Sequence, residues 1–270
     1  MKFVRQLEWD SAEIVLPHGY KGQFLYSAED CHVVATLVPP GASGPPQHKH
    51  VVDQIYVIVR GTITIQLGAE VRTAGANDTI FIPAGVPHHN WNDGDTDEMH
   101  IEVIAPGVLP THPLGLPADG DTDDRGLPYF VRGASADGPT PEAPGITNQW
   151  LVTGEDKSDH ATIYLTSLET GTSGTATHIN AFHEFYYVIE GTLSTEIALD
   201  RYDAPAGSLV SIPAGVPHRF WNSGREPERH VTIVVPSPIA GSKDDLGGVA
   251  VTLSATGELP GARDPSLAAV

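Results

Sequence analysis

Cysteine is almost missing from this chain: Cys31 is the only one in 270 residues. A single thiol excludes an intramolecular disulfide and any cysteine-based zinc site. Basic residues are scarce too, fifteen against 34 acidic ones, giving a formal charge of −19. A field of that sign repels nucleic acid and anionic membrane surfaces, so neither is expected as a partner, and solubility is its plain consequence. No apolar run approaches the length of a membrane span. The opening MKFVRQLEWDSAEIVLPHGY lacks the apolar stretch of a signal peptide, and the expected location is cytoplasmic. No convincing amphipathic helix precedes the tail. Glycine (28) and proline (23) are abundant instead, with apolar residues at 40%. That balance suits a globular core of many short strands joined by tight turns.

The heptad IPAGVPH is spelled out twice, at 82–88 and 212–218, an offset of 130. The same offset places His48 on His178, Tyr56 on Tyr186, Gly61-Thr62 on Gly191-Thr192 and Trp91-Asn92 on Trp221-Asn222. No gap is needed from position 48 to Gly94, which falls on Gly224; upstream, FLYSAED (24–30) resembles WLVTGED (150–156) with a shift of four. This is a tandem duplication of one unit. QIYVIVRGTITIQL and EFYYVIEGTLSTEI read as strands broken midway by a Gly-Thr hairpin turn. TIFIPAG and LVSIPAG read as short strands halted by Pro-x-Gly, and IEVIAP and VTIVV mirror each other as later strands. The expected fold is all-β, two tandem barrels or sandwiches, with units at 1–106 and 146–240. The Pro-, Gly- and Asp-rich stretch 107–145 is a linker or a lid, with Tyr129 and Phe130 as its anchors. Residues 241–270 form a C-terminal extension without an assigned role.

The polar residues of the repeat form a pattern. In HKHVVDQ, His48, His50 and Gln54 share one parity, so their side chains leave a strand on one face. His88, delivered by the Pro-x-Gly turn, can join them if the strands curl into a barrel. Three imidazoles and an amide oxygen suit a divalent transition metal. The second copy offers His178, Asn180, Glu184 and His218 on one face, while His183 has the opposite parity and should point away. A lone His-x-His is more often surface or core filler than a ligand. Duplication would keep Pro, Gly and Trp for structure alone, but it explains His88 and His218 less well, because neither has a turn role.

HxHx3Qx6G followed by PxGx2Hx3N resembles the two signature motifs of the cupin superfamily, G(x)5HxH(x)3–4E(x)6G and G(x)5PxG(x)2H(x)3N, and the chain resembles a bicupin. The second copy fits the later motif in full, from Gly207 to Asn222; the first has Asn77 in place of its leading Gly. The resemblance implies two tandem jelly-roll-like β-barrels. It makes His48, His50, Gln54 and His88 one ligand set and His178, Glu184 and His218 a second, reduced one, because Asn180 stands where the family has His. Up to two divalent transition ions per chain (Fe, Mn, Ni, Cu or Zn) and a small-molecule substrate follow from it, and a homodimer is compatible with it.

The donors imply two chemistries. An all-neutral first set leaves the ion its full charge as a Lewis acid, and Gln54 cannot be a general base because an amide does not titrate in water. That set resembles those of the bacilysin-pathway isomerase, certain polyketide cyclases and hydroxynitrile lyases. Two histidines and a carboxylate form the donor set of non-haem iron oxygenases. The second set is similar to that of quercetin 2,3-dioxygenase-type bicupins, which implies that Glu184 is catalytic, both ligand and base toward a substrate hydroxyl. The leading expectation is a metal-dependent dioxygenase acting on an aromatic or enol-type small molecule. The alternative is a non-redox isomerase, cyclase or lyase working at the first set. Intact histidines in both halves count against a storage or binding protein.

Overall fold

Runs rich in Val, Ile, Thr and aromatics, such as His32–Val38 and Asp53–Arg60, form strands, as β-branched and aromatic side chains favour a pleated, half-buried surface. The computed structural model describes residues 2–107, 113–133, 138–238 and 248–251. Its strands build four sheets, two of seven strands and two of five. In each half a seven-stranded sheet faces a five-stranded one in a jelly-roll-like barrel, closing over an apolar interior. In the N-terminal half, Tyr56, Ile58, Ile80 and Ile82 of one sheet pack on Ile63, Ile65 and Leu67 of the other. Tyr186, Val188, Val210, Leu193 and Ile197 do the same in the C-terminal half. No helix of the structure is long and apolar enough to cross a membrane.

A third core lies between the halves. Val33, Ile55, Val57, Ile101 and Val103 form one apolar cluster with Ile163, Phe185, Val231 and Ile233 of the other copy. The two seven-stranded sheets are therefore covered on both faces, which explains why Glu98–Ala105 is buried at every position. Period-two alternation sends Met99, Ile101, Val103 and Ala105 into the shared core. Residues of the other parity, Glu98, His100 and Glu102, face their own barrel.

The duplication holds in the strand register. His48 pairs with His88 as His178 pairs with His218, and Gln54 with Ile82 as Glu184 with Ile212. The four-residue shift upstream also appears: Phe24 faces Val34 and Trp150 faces Tyr164, each with a bulge immediately after. Asn77 (φ 71°) and Gly207 (φ 84°) share the left-handed backbone of the motif's leading position, a region that Asn tolerates better than most residues.

The Gly-Thr breaks are not hairpin turns. Asp53–Arg60 and Thr62–Leu67 lie in different sheets, so the chain turns a corner at Gly61. There φ is +71° and an added Cβ would sit 2.4 Å from the Asp97 carbonyl oxygen. Gly191 does the same against Pro227 at 2.5 Å. Glycine is required by the backbone that crosses behind it, and not by a two-residue loop.

Strand pairing also crosses the expected unit boundaries. Val4–Gln6 pairs with Ser208–Val210, so the N-terminal strand completes a sheet of the other half. The stretch read as a linker or lid contributes strands to both barrels. Leu116–Pro117 pairs with His48–Lys49, Phe130–Arg132 with Thr79–Phe81, and Thr140–Ala143 with Ile146–Asn148. Phe130 packs on Phe81 with ring centroids 5.5 Å apart, and the Tyr129 hydroxyl donates to Asp124 at 3.0 Å. In the C-terminal extension, Val249–Ala250 pairs with Ile179 and His178. Most of that extension, 241–247 and 252–270, lies outside the described residues.

Candidate metal centres

The heptad turn explains how one histidine reaches two others. Val86 N–H donates to Pro83 O at 3.2 Å across a turn whose third residue, Gly85, has φ +91°, the conformation a type II turn needs. Gly85 N–H then donates to His50 O at 2.8 Å, which ties the turn to the residue immediately after the strand His48–Lys49. His88 begins the next strand directly opposite His48. The C-terminal copy repeats each contact: Val216 to Pro213 O at 3.2 Å and Gly215 to Asn180 O at 2.8 Å.

In the N-terminal barrel, site one, a nitrogen from each of His48, His50 and His88 lies within 4.8 Å of the other two. The backbone orients each ring. His48 Nδ1–H donates to Pro46 O at 2.9 Å, His88 Nδ1–H to Val86 O at 2.9 Å, and His50 Nδ1–H to Leu114 O. A carbonyl can only accept, so the proton stays on Nδ1 and each neutral ring turns its Nε2 lone pair inward. Burial pushes all three pKa values down, His50 to about 4, with the neighbouring imidazoles adding to the effect at His50 and His88. Neutral rings are what metal binding requires. His50 Nε2, His88 Nε2 and Gln54 Oε1 are buried without a hydrogen-bond partner. Leaving such groups unsatisfied costs roughly 1–3 kcal/mol each; a cation among them satisfies all three, so the residues fit a divalent transition metal.

Behind Gln54 lies a buried polar chain that the motifs did not reveal. Gln54 Nε2 donates to Glu102 Oε2 at 2.7 Å. His100 sits between two carboxylates, with Nδ1 2.9 Å from Glu98 and Nε2 3.3 Å from Glu102. His100 is fully buried, which disfavours its charge, yet Glu98 and Glu102 push its pKa up to about 10. Burial raises the Glu102 pKa, but the bonds from His100 and Thr36 outweigh it and hold the carboxyl below its ordinary range. The repeat carried a sign of part of this chain, since EMH at 98–100 recurs as ERH at 228–230. Glu102 had no such sign, because Thr232 occupies the equivalent position.

Site two, in the C-terminal barrel, gathers His178, Glu184 and His218 within the same 4.8 Å limit. Its rings are held as in site one: His178 Nδ1–H donates to Ala176 O and His218 Nδ1–H to Val216 O, both at 2.9 Å. His218 Nε2 faces Glu184 Oε2 at 3.1 Å. A ring lone pair against a carboxylate needs a cation to reconcile them, a proton or a metal ion. Asn180 Nδ2 donates to the same Glu184 oxygen at 2.8 Å, leaving Asn180 Oδ1 buried without a partner as a further donor. Here too the residues fit a divalent transition metal. His183 lies apart from the group, 3.6 Å from Asp30 of the other half. A cavity of ≈ 500 Å³ opens onto His178, Asn180 and Glu184 and includes Trp150, Tyr164 and Phe220 in its wall.

A glycine roofs each site. Gly115 and Gly248 begin the segments that pair beside His48 and His178, and Ala118 and Val251 N–H groups tie those segments to Gln47 O and Thr177 O at 3.0 and 2.9 Å. An added Cβ would come within 2.8 Å of His48 Cδ2 at Gly115, and within 2.4 Å of His178 Cδ2 and 2.5 Å of Asn180 Oδ1 at Gly248. Gly248→Ala should therefore displace either the segment or the His178 ring. The expected result, read by metal titration, is a loss of site-two affinity of about 10–100-fold, the range for disturbing a group that orients a ligand, with site one unchanged.

The cupin domain model (Cupin_2) matches residues 35–105 and again residues 164–234, more than half of the chain. The chain belongs to the cupin family. Its two cupin domains carry the two donor clusters, so it is a bicupin with donor sets for up to two divalent transition ions. No curated protein matches it in sequence. Among solved structures it is similar to a variant of Bacillus subtilis oxalate decarboxylase, with TM-score 0.69, 16% identity, and 87% of this chain and 78% of that chain covered. It is also similar to Lactobacillus farciminis oxalate decarboxylase in its formate complex, with TM-score 0.70, 13% identity, and 87% and 86% covered. At such identities the likeness shows the bicupin fold.

Proposed function

We propose that this bicupin is a metal-dependent enzyme whose C-terminal barrel is a dioxygenase for an aromatic or enol-type small molecule. The observation that carries this reading is a cluster of two histidines and a carboxylate, two of whose members, His178 and Glu184, line a ≈ 500 Å³ cavity walled partly by Trp150, Tyr164 and Phe220. Such a volume is in the range for small-molecule sites, and aromatic walls favour a planar ring. No Lys or Arg lines the cavity among the described residues, while Glu142 does. A dianion such as oxalate, named in the two decarboxylases of similar fold, would find no basic partner there. A neutral phenol or enol needs none.

His178, Glu184 and His218 would hold the ion, which supplies Lewis acidity and a path for electrons to dioxygen. Glu184 accepts the proton of the incoming substrate hydroxyl. The Asn180 amide, bonded to Glu184 Oε2 at 2.8 Å, fixes the carboxylate for that transfer, and the aromatic wall orients the ring. A second reading rests on site one. His48, His50, Gln54 and His88 are all neutral donors, which suits a non-redox isomerase, cyclase or lyase. The test is metal content measured together with dioxygen uptake over a panel of flavonols, diketones and polyphenols. Stoichiometric uptake with substrate loss supports the dioxygenase; substrate conversion without uptake transfers the activity to site one.

A further inference from the structure

The two sites differ by a transposed carboxylate. At the strand position facing the imidazoles, the N-terminal barrel has Gln54 and the C-terminal barrel Glu184, each opposite the equivalent isoleucine. At the position behind, opposite Tyr56 and Tyr186, they have Glu102 and Thr232. Glu102 is only 8% exposed. Its Oε2 accepts from Gln54 Nε2 at 2.7 Å, and its Oε1 accepts from Thr36 Oγ1–H at 2.5 Å. In the other copy, the Thr166 and Thr232 hydroxyls meet at 2.9 Å, and Thr166 Oγ1–H donates to Asn148 Oδ1 at 3.0 Å.

We infer that Glu102 is the positioning residue of site one: it holds the Gln54 amide in the one orientation that turns Oε1, and not the NH2 group, toward His48, His50 and His88. The inference rests on site one taking a metal ion, as proposed above. The two ends of an amide are nearly equal in size and opposite in function. The oxygen has lone pairs for a cation, and the nitrogen has none to offer. Packing alone distinguishes them poorly. A carboxylate whose other oxygen already takes the Thr36 hydroxyl proton distinguishes them sharply, because Gln54 can meet it only with N–H. Flipping the amide would set oxygen against oxygen at 2.7 Å and aim N–H at the imidazole lone pairs. The negative charge behind the amide also polarises it, strengthening Oε1 as a donor. Site one thus keeps four neutral ligands while a carboxylate acts on them through one hydrogen bond, where site two puts its carboxylate at the ligand position itself.

Cobalt(II) binding tests this. The full chain, stripped of metal and carrying His218→Ala so that site one alone reports, is titrated while the visible ligand-field band is followed. Glu102→Gln can donate its own N–H to Gln54 and permit the flip; it should weaken cobalt binding about 10–100-fold and shift the band. Glu102→Thr should do likewise. Adding Gln54→Glu to Glu102→Thr transplants the site-two arrangement and should recover binding; in a Gln54→Glu background, whose carboxylate has no wrong end to present, Glu102→Gln should no longer weaken binding, which no merely structural role for Glu102 would predict. If the single variants do not fold, as judged by thermal unfolding, the double variant compared with its parent decides. Parental affinity and band in Glu102→Gln, or a double variant that binds no better than Glu102→Thr, would overturn the role of Glu102. A parent that binds no cobalt would instead overturn the metal reading of site one.

Discussion

With the proposed dioxygenase in the C-terminal barrel, Glu184→Gln should lower turnover by at least the 10²–10⁴-fold typical of losing a general base. The side chain keeps its shape, and an amide oxygen can still meet a cation, so metal content should fall less than rate. What disappears is the group that titrates. Glu184 is the only carboxylate in either donor cluster, and it faces the cavity of the C-terminal barrel. Steady-state rates on any substrate the protein consumes, compared with metal content of the same preparations, separate the two effects. Full activity in Glu184→Gln would move the chemistry to site one, where His50→Ala and Gln54→Ala would then be the severe changes.

His100→Leu should destabilise the protein by about 3–5 kcal/mol, the usual cost of removing one partner from a buried ion pair. Glu98 and Glu102 would both lose the imidazole between them in a site where His100 is wholly buried. His230→Leu should cost less, because Glu228 is the one carboxylate on that ring and Thr232 replaces the second. The pH dependence has a definite sign. The His100 pKa lies near 10 in the folded chain and about 6.5 in the unfolded one. Its contribution is therefore complete below about pH 6.5 and is lost as pH rises toward 10. Urea unfolding of wild type and His100→Leu at pH 6 and pH 9 should show the gap between them narrowing; an equal or wider gap at pH 9 would exclude a protonated His100.

The duplication and most of the residues that gather in the two candidate donor clusters were legible in the sequence, because repeat and motif spacing are local features. The parity argument for His48, His50 and Gln54 was nevertheless mistaken: His48–Lys49 and Asp53–Arg60 are separate strands in different sheets, so Gln54 meets the histidines across the barrel, while the Pro-x-Gly turn with φ > 0 at Gly85 brings His88 beside His48. The same logic misread Gly61. Glycine before a β-rich run signals a left-handed residue, which is correct, but the reason is the close passage of Asp97 and Glu98, remote in sequence. The exchange of Val4–Gln6 into the other half had no local signature, since three residues, Val-Arg-Gln, carry no pattern that says which open sheet edge they complete. Glu102 was hidden for a similar reason. It meets Gln54 only through the register of two strands, and the repeat gives no help where the second copy has threonine.

Elemental analysis of purified full-length protein is the most direct test of the account, which holds that each barrel carries its own metal on a turn-delivered histidine. Wild type should bind up to two divalent transition ions per chain. His88→Ala should lose the site-one ion alone, His218→Ala the site-two ion alone, and the double variant should bind none, all with unchanged far-ultraviolet circular dichroism. Undiminished metal in the folded double variant would contradict the account.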